Sequence, residues 1–484
     1  MIDIYLREEF YAYDTFHITK AFFPEEEIKQ HIGEEREKLL VIEKEGAPLV
    51  ELDEAELESL SDSVLKKQKK SFVNKKIYKE LCKYTGKELA WGILTGVRPT
   101  KLAMKKVEEG CTDAEAENWF RENYMVTKKK AALSVEIAKR EKALLERLDY
   151  KNGYSLYVGI PFCPTICSYC SFSSYPLHEW KEKVDAYLDA LCKEITFVGK
   201  VSKEKKLNTV YIGGGTPTTL EPEQLDRLLT HMESTFSYED LQEFTVEAGR
   251  PDSITREKLE VLRKHHISRI SVNPQTMQQK TLDVIGRKHT VQDVVDIFYM
   301  ARELGFDNIN MDLIAGLTGE HLSDMRHTLQ QIRELSPDSL TVHSLAIKRA
   351  ARLGRTEGYR EQISEAEELS QMIELAAEYA KEMDLFPYYL YRQKNIAGNF
   401  ENVGYAKVDK AGIYNILIME EKQSIIAAGA GASTKIVLKQ PMLQPGSKNQ
   451  KKTNLIRLEN VKAIDAYIRR IDEMIERKGE WLWR

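Results

Sequence analysis

From Tyr154 onward the chain alternates short β-rich runs with longer amphipathic stretches, and this alternation limits the fold more than any other feature. Six runs, Ser155 to Ile160, Asn208 to Ile212, Glu243 to Glu247, Ser268 to Val272, Asn308 to Leu313 and Ser339 to His343, are each followed by a helical pattern. Repeated βα units require a parallel sheet covered by helices. Six of them fit a partial (β/α)6 barrel. In such barrels the loops after the strands converge on one face, so polar residues at the strand ends are where chemistry is expected.

The flanks read differently. Residues 1–150 carry strand-like runs at Leu39 to Glu43 and Leu49 to Leu52, then Lys-rich helical stretches at Ser63 to Tyr84 and Lys128 to Leu148, which points to a separate N-terminal α/β domain. Within it, LAWGILTGVRPTKL (residues 89–102) interrupts an apolar run with Gly92, Gly96 and Pro99 and adds Arg98 and Lys101. A plain loop at a domain contact explains this segment as well as a functional role does. The barrel is expected over 151–350 and a small C-terminal α+β domain over 351–484. The latter contains a helix near Ile363 to Lys381, a tyrosine-rich stretch, a strand at Tyr414 to Glu420, the glycine-rich AAGAGAS and a packing helix at Val461 to Arg477. From Lys422 to Leu458 there is no acidic residue but seven basic ones, which suits either a solvated loop or a flap facing an anion.

Lys and Arg number 71 against 76 Asp and Glu, a formal charge of −5 over 484 residues. That balance argues against a surface devoted to nucleic acid, which carries a basic excess. No apolar run approaches the ~18 residues of a membrane span, and MIDIYLREEFYAYD has neither the basic nor the apolar region of a leader. A cytoplasmic protein is expected. Six cysteines are too few for a disulfide scaffold, yet Cys163, Cys167 and Cys170 crowd into eight positions.

Those three form CxxxCxxC directly after the first barrel strand, where Pro161 and Pro164 block regular structure and let the thiolates wrap one small object. Structural zinc takes four ligands, and no second pair stands nearby. A four-iron four-sulfur cluster on three cysteines leaves one iron without a protein ligand, open to a small molecule. Cys82, Cys111 and Cys192 are isolated and are read as ordinary small apolar residues.

The second strand ends in YIGGGTPT, where Gly213, Gly214 and Gly215 would let backbone approach a ligand, and no Walker-type Lys follows. Glu247 ends the third strand, Gln275 follows the fourth, Arg287 lies in IGRKHT, and Asp312 sits in the fifth. Singly each reads as a rim or capping residue. As a set they face one mouth.

CxxxCxxC after the first strand of a partial barrel, with Tyr169 before the third cysteine, resembles the radical S-adenosylmethionine (SAM) superfamily, and GGGTPT resembles its oxygen-independent coproporphyrinogen III oxidase family. The extra N-terminal domain with WGILTGVRPTK is similar to the HemZ-type branch, named for coproporphyrinogen dehydrogenase. The resemblance implies a 4Fe-4S cluster on Cys163, Cys167 and Cys170, with SAM chelated at the open iron and cleaved to a 5′-deoxyadenosyl radical. It implies SAM contacts at Tyr157, Gly213, Gly214, Gly215, Thr216, Glu247, Gln275, Arg287 and Asp312. Asp312 would suit a ribose diol, Arg287 the methionine carboxylate, and Glu247 and Gln275 other polar groups of SAM.

The reaction so implied converts two propionates of coproporphyrinogen III to vinyl groups, giving protoporphyrinogen IX without dioxygen, with a reductant such as flavodoxin or ferredoxin as partner. Arg98, Lys101, Arg392 and the basic flap are candidates to hold the tetracarboxylate. One departure bears on this: Phe172 stands where the established dehydrogenases have a further cysteine, and a haem chaperone of the same family also has an aromatic there. A chaperone that binds haem is therefore the alternative. A tRNA-modifying radical SAM enzyme is a third reading, but the dispersed remaining cysteines offer no second cluster. Replacing any one of Cys163, Cys167 or Cys170 by Ala is expected to abolish cluster loading in a protein that stays soluble, as measured by iron, sulfide and visible absorbance. A brown, fully loaded Cys167→Ala protein would refute the ligand set.

Overall fold

A computed structural model describes residues 1–33, 37–58, 66–96, 98–345, 366–392, 400–443 and 452–483. Val97, Ile363 to Glu365, the middle of the tyrosine-rich stretch, and Lys448 and Lys451 of the basic flap lie outside the described residues. The chain divides into two compact units: Met1–Lys139 with Glu365–Ser370 and Leu390–Asn402, and Arg140–Ser364 with Gln371–Tyr389 and Val403–Arg484.

The first unit is built on a four-stranded sheet in the order Ile28–Ile32, Ile2–Leu6, Leu40–Lys44, Ala47–Leu52. The first pair is parallel and the others antiparallel. Ile2, Ile4 and Leu6 alternate with less buried residues, so one face of the sheet is apolar and joins a core with Ile18, Val73, Ile77 and Leu81. The last three space at i, i+4 and i+8 along Lys66–Thr85, which is how a helix so rich in lysine still presents one apolar stripe. In the GILTGVRPT segment, Gly92 has φ +51°, and a Cβ there would stand 2.2 Å from the Tyr124 carbonyl, so only glycine fits. Trp91, which is buried, donates to Glu401 at 2.7 Å, and Lys130 pairs with the same carboxylate. Arg392 is buried as well, donating to the carbonyls of Leu94 at 2.5 Å and Gly96 at 3.3 Å with its guanidinium over the Trp91 ring. Its fork is thus used to hold this loop, which displaces the expectation that it meets a substrate carboxylate.

In the second unit the six expected strands are all present: Gly153–Ile160, Lys206–Gly214, Glu243–Val246, Arg269–Ser271, Ile309–Ala315 and Ser339–Ser344. They pair in parallel in chain order. Their continuous burial is what a parallel sheet covered on both faces demands. A seventh parallel strand, Ser424–Ala428, pairs with the first, and Ser433–Leu443 and Lys452–Glu459 continue from it as an antiparallel ribbon. The basic run expected as a loop or flap is therefore largely strand. On the other side Glu401–Ala406 pairs antiparallel with the sixth strand. Among the described residues the end strands of this sheet do not pair with each other, so the barrel is open.

Two expectations need correction. Tyr414 to Glu420 is not a strand but part of the helix Ile413–Glu420, because a short apolar run buried on several sides carries no periodicity that separates helix from strand. The closing helix is two helices, Ile464–Arg469 and Ile471–Gly479, broken at Arg470.

A buried carboxylate joins this C-terminal region to the barrel. Glu194, on the helix Val184–Val201, accepts from the Gly429 N–H at 2.9 Å, Asn460 at 2.9 Å and the Tyr467 hydroxyl at 2.5 Å, and pairs with Lys478. Gly429, at φ +110°, passes so close to the first strand that a Cβ would meet the Gly159 carbonyl at 2.6 Å, and Gly431 has φ +69°, which accounts for the two glycines of AAGAGAS. Glu194→Leu strands the Lys478 ammonium in the interior and should cost ~3–5 kcal/mol. The Glu194→Leu/Lys478→Met double variant should recover a large part of that loss in thermal or denaturant unfolding.

Candidate active site

The cysteine loop leaves the first strand at Pro161. Phe162–Cys163 forms a two-residue parallel ladder with Tyr175–Pro176. The segment between is pinned by Tyr175 N–H to the Pro161 carbonyl at 2.8 Å, Ser168 N–H to Ile285 at 3.0 Å and the Thr165 hydroxyl to Gly286 at 3.0 Å. Cys167 is buried and Cys163 and Cys170 are partly so. Burial pushes the Cys163 thiol up, and the proximity of Cys170 and Cys167 adds to the shift, so the three sulfurs share one neighbourhood. Burial likewise raises Cys170. Arg250 donates to Cys167 Sγ at 3.3 Å, Thr216 Oγ1 lies 3.5 Å from Cys163 Sγ, and the buried Arg287 guanidinium is stabilised by Cys167 and Tyr169.

Among the described residues no three His, Cys, Asp or Glu side chains are gathered to hold a metal ion. Three buried or partly buried thiols on one loop, two buried guanidiniums to offset thiolate charge, and a buried Arg287 Nε with no hydrogen-bond partner are features that fit an anionic cluster with a ligand beside it.

The glycine run has a second explanation that its sequence did not show. Gly215 donates to Ile160 at 2.7 Å and Thr216 to Phe162 at 2.7 Å, and a Cβ on Gly215 would lie 2.5 Å from the Phe162 carbonyl. The glycine is required by the backbone of the cysteine loop itself. Gly214, at φ +108°, makes the turn, and its absent side chain leaves room for the Tyr157 hydroxyl.

The inner wall of the barrel is polar. Glu247 accepts from the Tyr211 hydroxyl and from Asn273 Nδ2 at 3.1 Å. Burial, with the Asp312 charge adding to it, pushes its carboxyl up to about 7. Burial alone would raise Asp312 too, but His343, at 3.7 Å from Oδ2, Asn310, at 2.7 Å from Oδ1, and Thr341 hold it below the usual carboxylate range. Two neighbouring acids are thus driven apart, one toward the protonated and one toward the ionised form. Tyr157, Tyr211 and Tyr414 form a triangular cluster of nearly parallel rings, with centroids 4.5 Å apart for Tyr211 and Tyr414, 6.2 Å for Tyr157 and Tyr211 and 6.4 Å for Tyr157 and Tyr414. Gln275 is the exception among the expected residues, because its backbone does much of the work: at φ +69° it donates to the Asp312 carbonyl and accepts from Ile314, both at 2.9 Å. Arg287 donates to the Asn273 carbonyl. Phe172 is 73% exposed.

Tyr211, Asn273, His343, Arg250 and Asp252 were not anticipated. The strand positions of Tyr211 and His343, at the same ends as the expected residues, are a signal that could have found them. Arg250 and Asp252 lie in a turn, where spacing gives none.

A signature described as the radical SAM superfamily matches residues 157–332. The oxygen-independent coproporphyrinogen-III oxidase-like protein HemZ of Bacillus subtilis (strain 168) is 45% identical over 358 residues, 73% of this chain and 71% of that protein. The chain belongs to the oxygen-independent coproporphyrinogen-III oxidase-like family. Similarity within this family extends to the haem chaperone HemW of B. subtilis, 39% identical over 195 residues, 40% of this chain and 51% of the chaperone. The oxygen-independent coproporphyrinogen III oxidase of Escherichia coli K12 is 32% identical over 192 residues, 40% of this chain and 42% of that enzyme. The solved E. coli coproporphyrinogen III oxidase (HemN) superposes with a TM-score of 0.53 at 21% identity over 69% of this chain and 73% of that one, a likeness of fold. Among the described residues no helix is long and apolar enough to cross a membrane. Membership of the family implies a 4Fe-4S cluster and SAM.

With its carboxyl at about 7, Glu247 keeps a proton in the folded chain between about 4.3, its unfolded value, and 7. Its stabilising contribution is therefore fully present below about 4.3 and is lost as pH rises to about 7. Glu247→Gln should flatten the decline of stability across that window, by on the order of 4 kcal/mol in denaturant unfolding. Asp312→Asn should lower the Glu247 titration midpoint followed by infrared difference spectroscopy.

Proposed function

We propose that this chain is a radical SAM oxidoreductase that decarboxylates propionates of coproporphyrinogen III to vinyl groups, giving protoporphyrinogen IX without dioxygen. The observation that carries the reading is the 45% identity to HemZ over 73% of the chain, which reaches beyond the barrel shared with more distant relatives. Cys163, Cys167 and Cys170 would hold the 4Fe-4S cluster. With SAM on its open iron, that group supplies a carbon radical able to take hydrogen from an unactivated propionate carbon.

The chain's own residues bind and orient. Asp312, kept ionised, accepts hydrogen bonds from a ribose diol, and His343 and Asn310 fix its two oxygens. Glu247, poised to hold a proton, can donate from one oxygen while Tyr211 and Asn273 fix the carboxyl. The Gly213 to Thr216 backbone, Tyr157, Gln275 and Arg287 complete the proposed SAM wall. Arg98, Lys101 and the basic run are candidates for substrate carboxylates, and a flavodoxin or ferredoxin in a cytoplasmic setting would supply electrons.

One observation favours a second reading. Phe172 is an exposed aromatic beside the cysteine loop, and HemW is 39% identical over 195 residues, so a haem chaperone of the same family is the alternative. Anaerobic turnover with reductant, SAM and coproporphyrinogen III separates them: protoporphyrin together with 5′-deoxyadenosine is expected. Stable haem binding with no protoporphyrin would replace the enzyme by the chaperone. Asp312→Ala should keep the full iron and sulfide content yet bind SAM about tenfold or more weaker, ~1.4 kcal/mol, by equilibrium dialysis. Unchanged affinity would remove Asp312 from the site.

A further inference from the structure

Arg250 lies just past the third strand, in GRPDS, and is 3% exposed. Its guanidinium is fully engaged. Nε and Nη2 donate to the two oxygens of Asp252 at 2.8 and 2.6 Å, Nη2 to Thr165 Oγ1 at 3.0 Å, and Nη1 to the Thr165 carbonyl at 3.2 Å and to Cys167 Sγ at 3.3 Å. The turn that carries this fork is anchored to the barrel and not to the cysteine loop. Pro251–Ser253 forms one 3-10 turn, the Ser253 hydroxyl donates to the Arg250 carbonyl at 2.7 Å and meets Thr218 Oγ1 at 2.6 Å, and Lys258 donates to the carbonyls of Thr218 and Ser253. The fork is therefore carried by a turn held to the barrel and reaches across to the cysteine loop at Thr165 and Cys167.

The three thiols are treated unequally. Cys163 receives a neutral hydroxyl at 3.5 Å, whereas Cys167 receives a cationic N–H and lies beside a second guanidinium, Arg287. An N–H donated to a cysteinate, and a positive charge near it, stabilise the reduced and more negative state of a cluster and so raise its reduction potential. A carboxylate on the far side of the same guanidinium opposes that effect.

We infer that Arg250 and Asp252 form a tuning pair for the cluster: the Arg250 fork raises the reduction potential through Cys167, and Asp252 aims the fork while moderating its charge. Arg250 is a positioning residue, not a catalytic one. The inference rests on the reading of Cys163, Cys167 and Cys170 as cluster ligands.

The test is an anaerobic redox titration, followed by electron paramagnetic resonance, of the full chain reconstituted with iron and sulfide, after cluster content has been measured. Arg250→Met should lower the midpoint, shifting the reduction equilibrium about tenfold, ~59 mV for one electron. Asp252→Asn, which removes no donor to sulfur, should move it upward by a smaller factor. Arg250→Lys, which keeps the charge without the fork, should fall between wild type and Arg250→Met. Opposite signs for the Met and Asn variants are a result that loosened packing does not produce. Midpoints equal to wild type in loaded variants, or shifts of the same sign, overturn the inference. If Arg250→Met takes up no cluster, the sign of the Asp252→Asn shift decides, upward in support and zero or downward against. A wild-type chain that loads no cluster would instead overturn the ligand reading itself.

Discussion

Eight residues of parallel ladder between the first two barrel strands decide which loop lies over which. Gly153 to Ile160 runs in register with Lys206 to Gly214, ending in the pairs Gly159 with Gly213 and Ile160 with Gly214. Beyond the last pair the two chains stay bonded through Gly215 and Thr216, so the cysteine loop is laid on the glycine turn with no side chain between them. Because strand side chains alternate faces, a slip of one residue between the two strands would put Tyr157 and Tyr211 on opposite faces of the sheet and separate Thr216 from Cys163. The position of the thiols, of the tyrosine cluster and of Glu247 bonded to Tyr211 all follow from the register of Ser155 to Ile160 against Thr209 to Gly214.

On that frame the site is assembled from groups that are costly to bury. Glu247, Asp312, Arg250 and Arg287 are each removed from most solvent, and each is answered by partners from a neighbouring strand or turn. A buried charge that lacked its partners would shift its titration or unfold its surroundings. The electrostatic division is spatial: guanidiniums cluster at the sulfurs, and carboxylates sit on the wall formed by the third and fifth strands. A ligand lying from the thiols toward Asp312 therefore passes from positive to negative surroundings, which suits a molecule with an anionic end and a polar, hydrogen-bonding end.

The barrel was legible because each βα unit carries its own periodicity, and all six strands stand where the apolar runs put them. The grouping of the cysteine loop, Glu247 and Asp312 on this sheet was legible because strand ends of a parallel sheet converge. What escaped did so for physical reasons. Ile413–Glu420 is apolar on too many sides for its period to show. Ile2–Leu6 and Ile28–Ile32 are short, and the second is mostly exposed, so its alternation is faint. Gln275 has a side chain that invited a ligand role, while its left-handed backbone, invisible in a list of residues, is what bridges to the fifth strand. Arg392 offered a charge, but tertiary structure used that charge on the carbonyls of its own unit. Arg250 gave no warning, since a turn imposes no spacing.

The seam between the first and seventh strands joins parts of the chain made far apart in time. Glu194 and Lys478 are separated by 284 positions, and the first strand lacks one neighbour until Ser424–Ala428 has been made. During synthesis, then, the CxxxCxxC segment emerges long before the edge that completes its supporting strand, and contacts of such long range form slowly. Until then the CxxxCxxC segment stands without the finished wall beside its supporting strand, so the order in which the chain is made is itself a constraint on when this part of the fold can close.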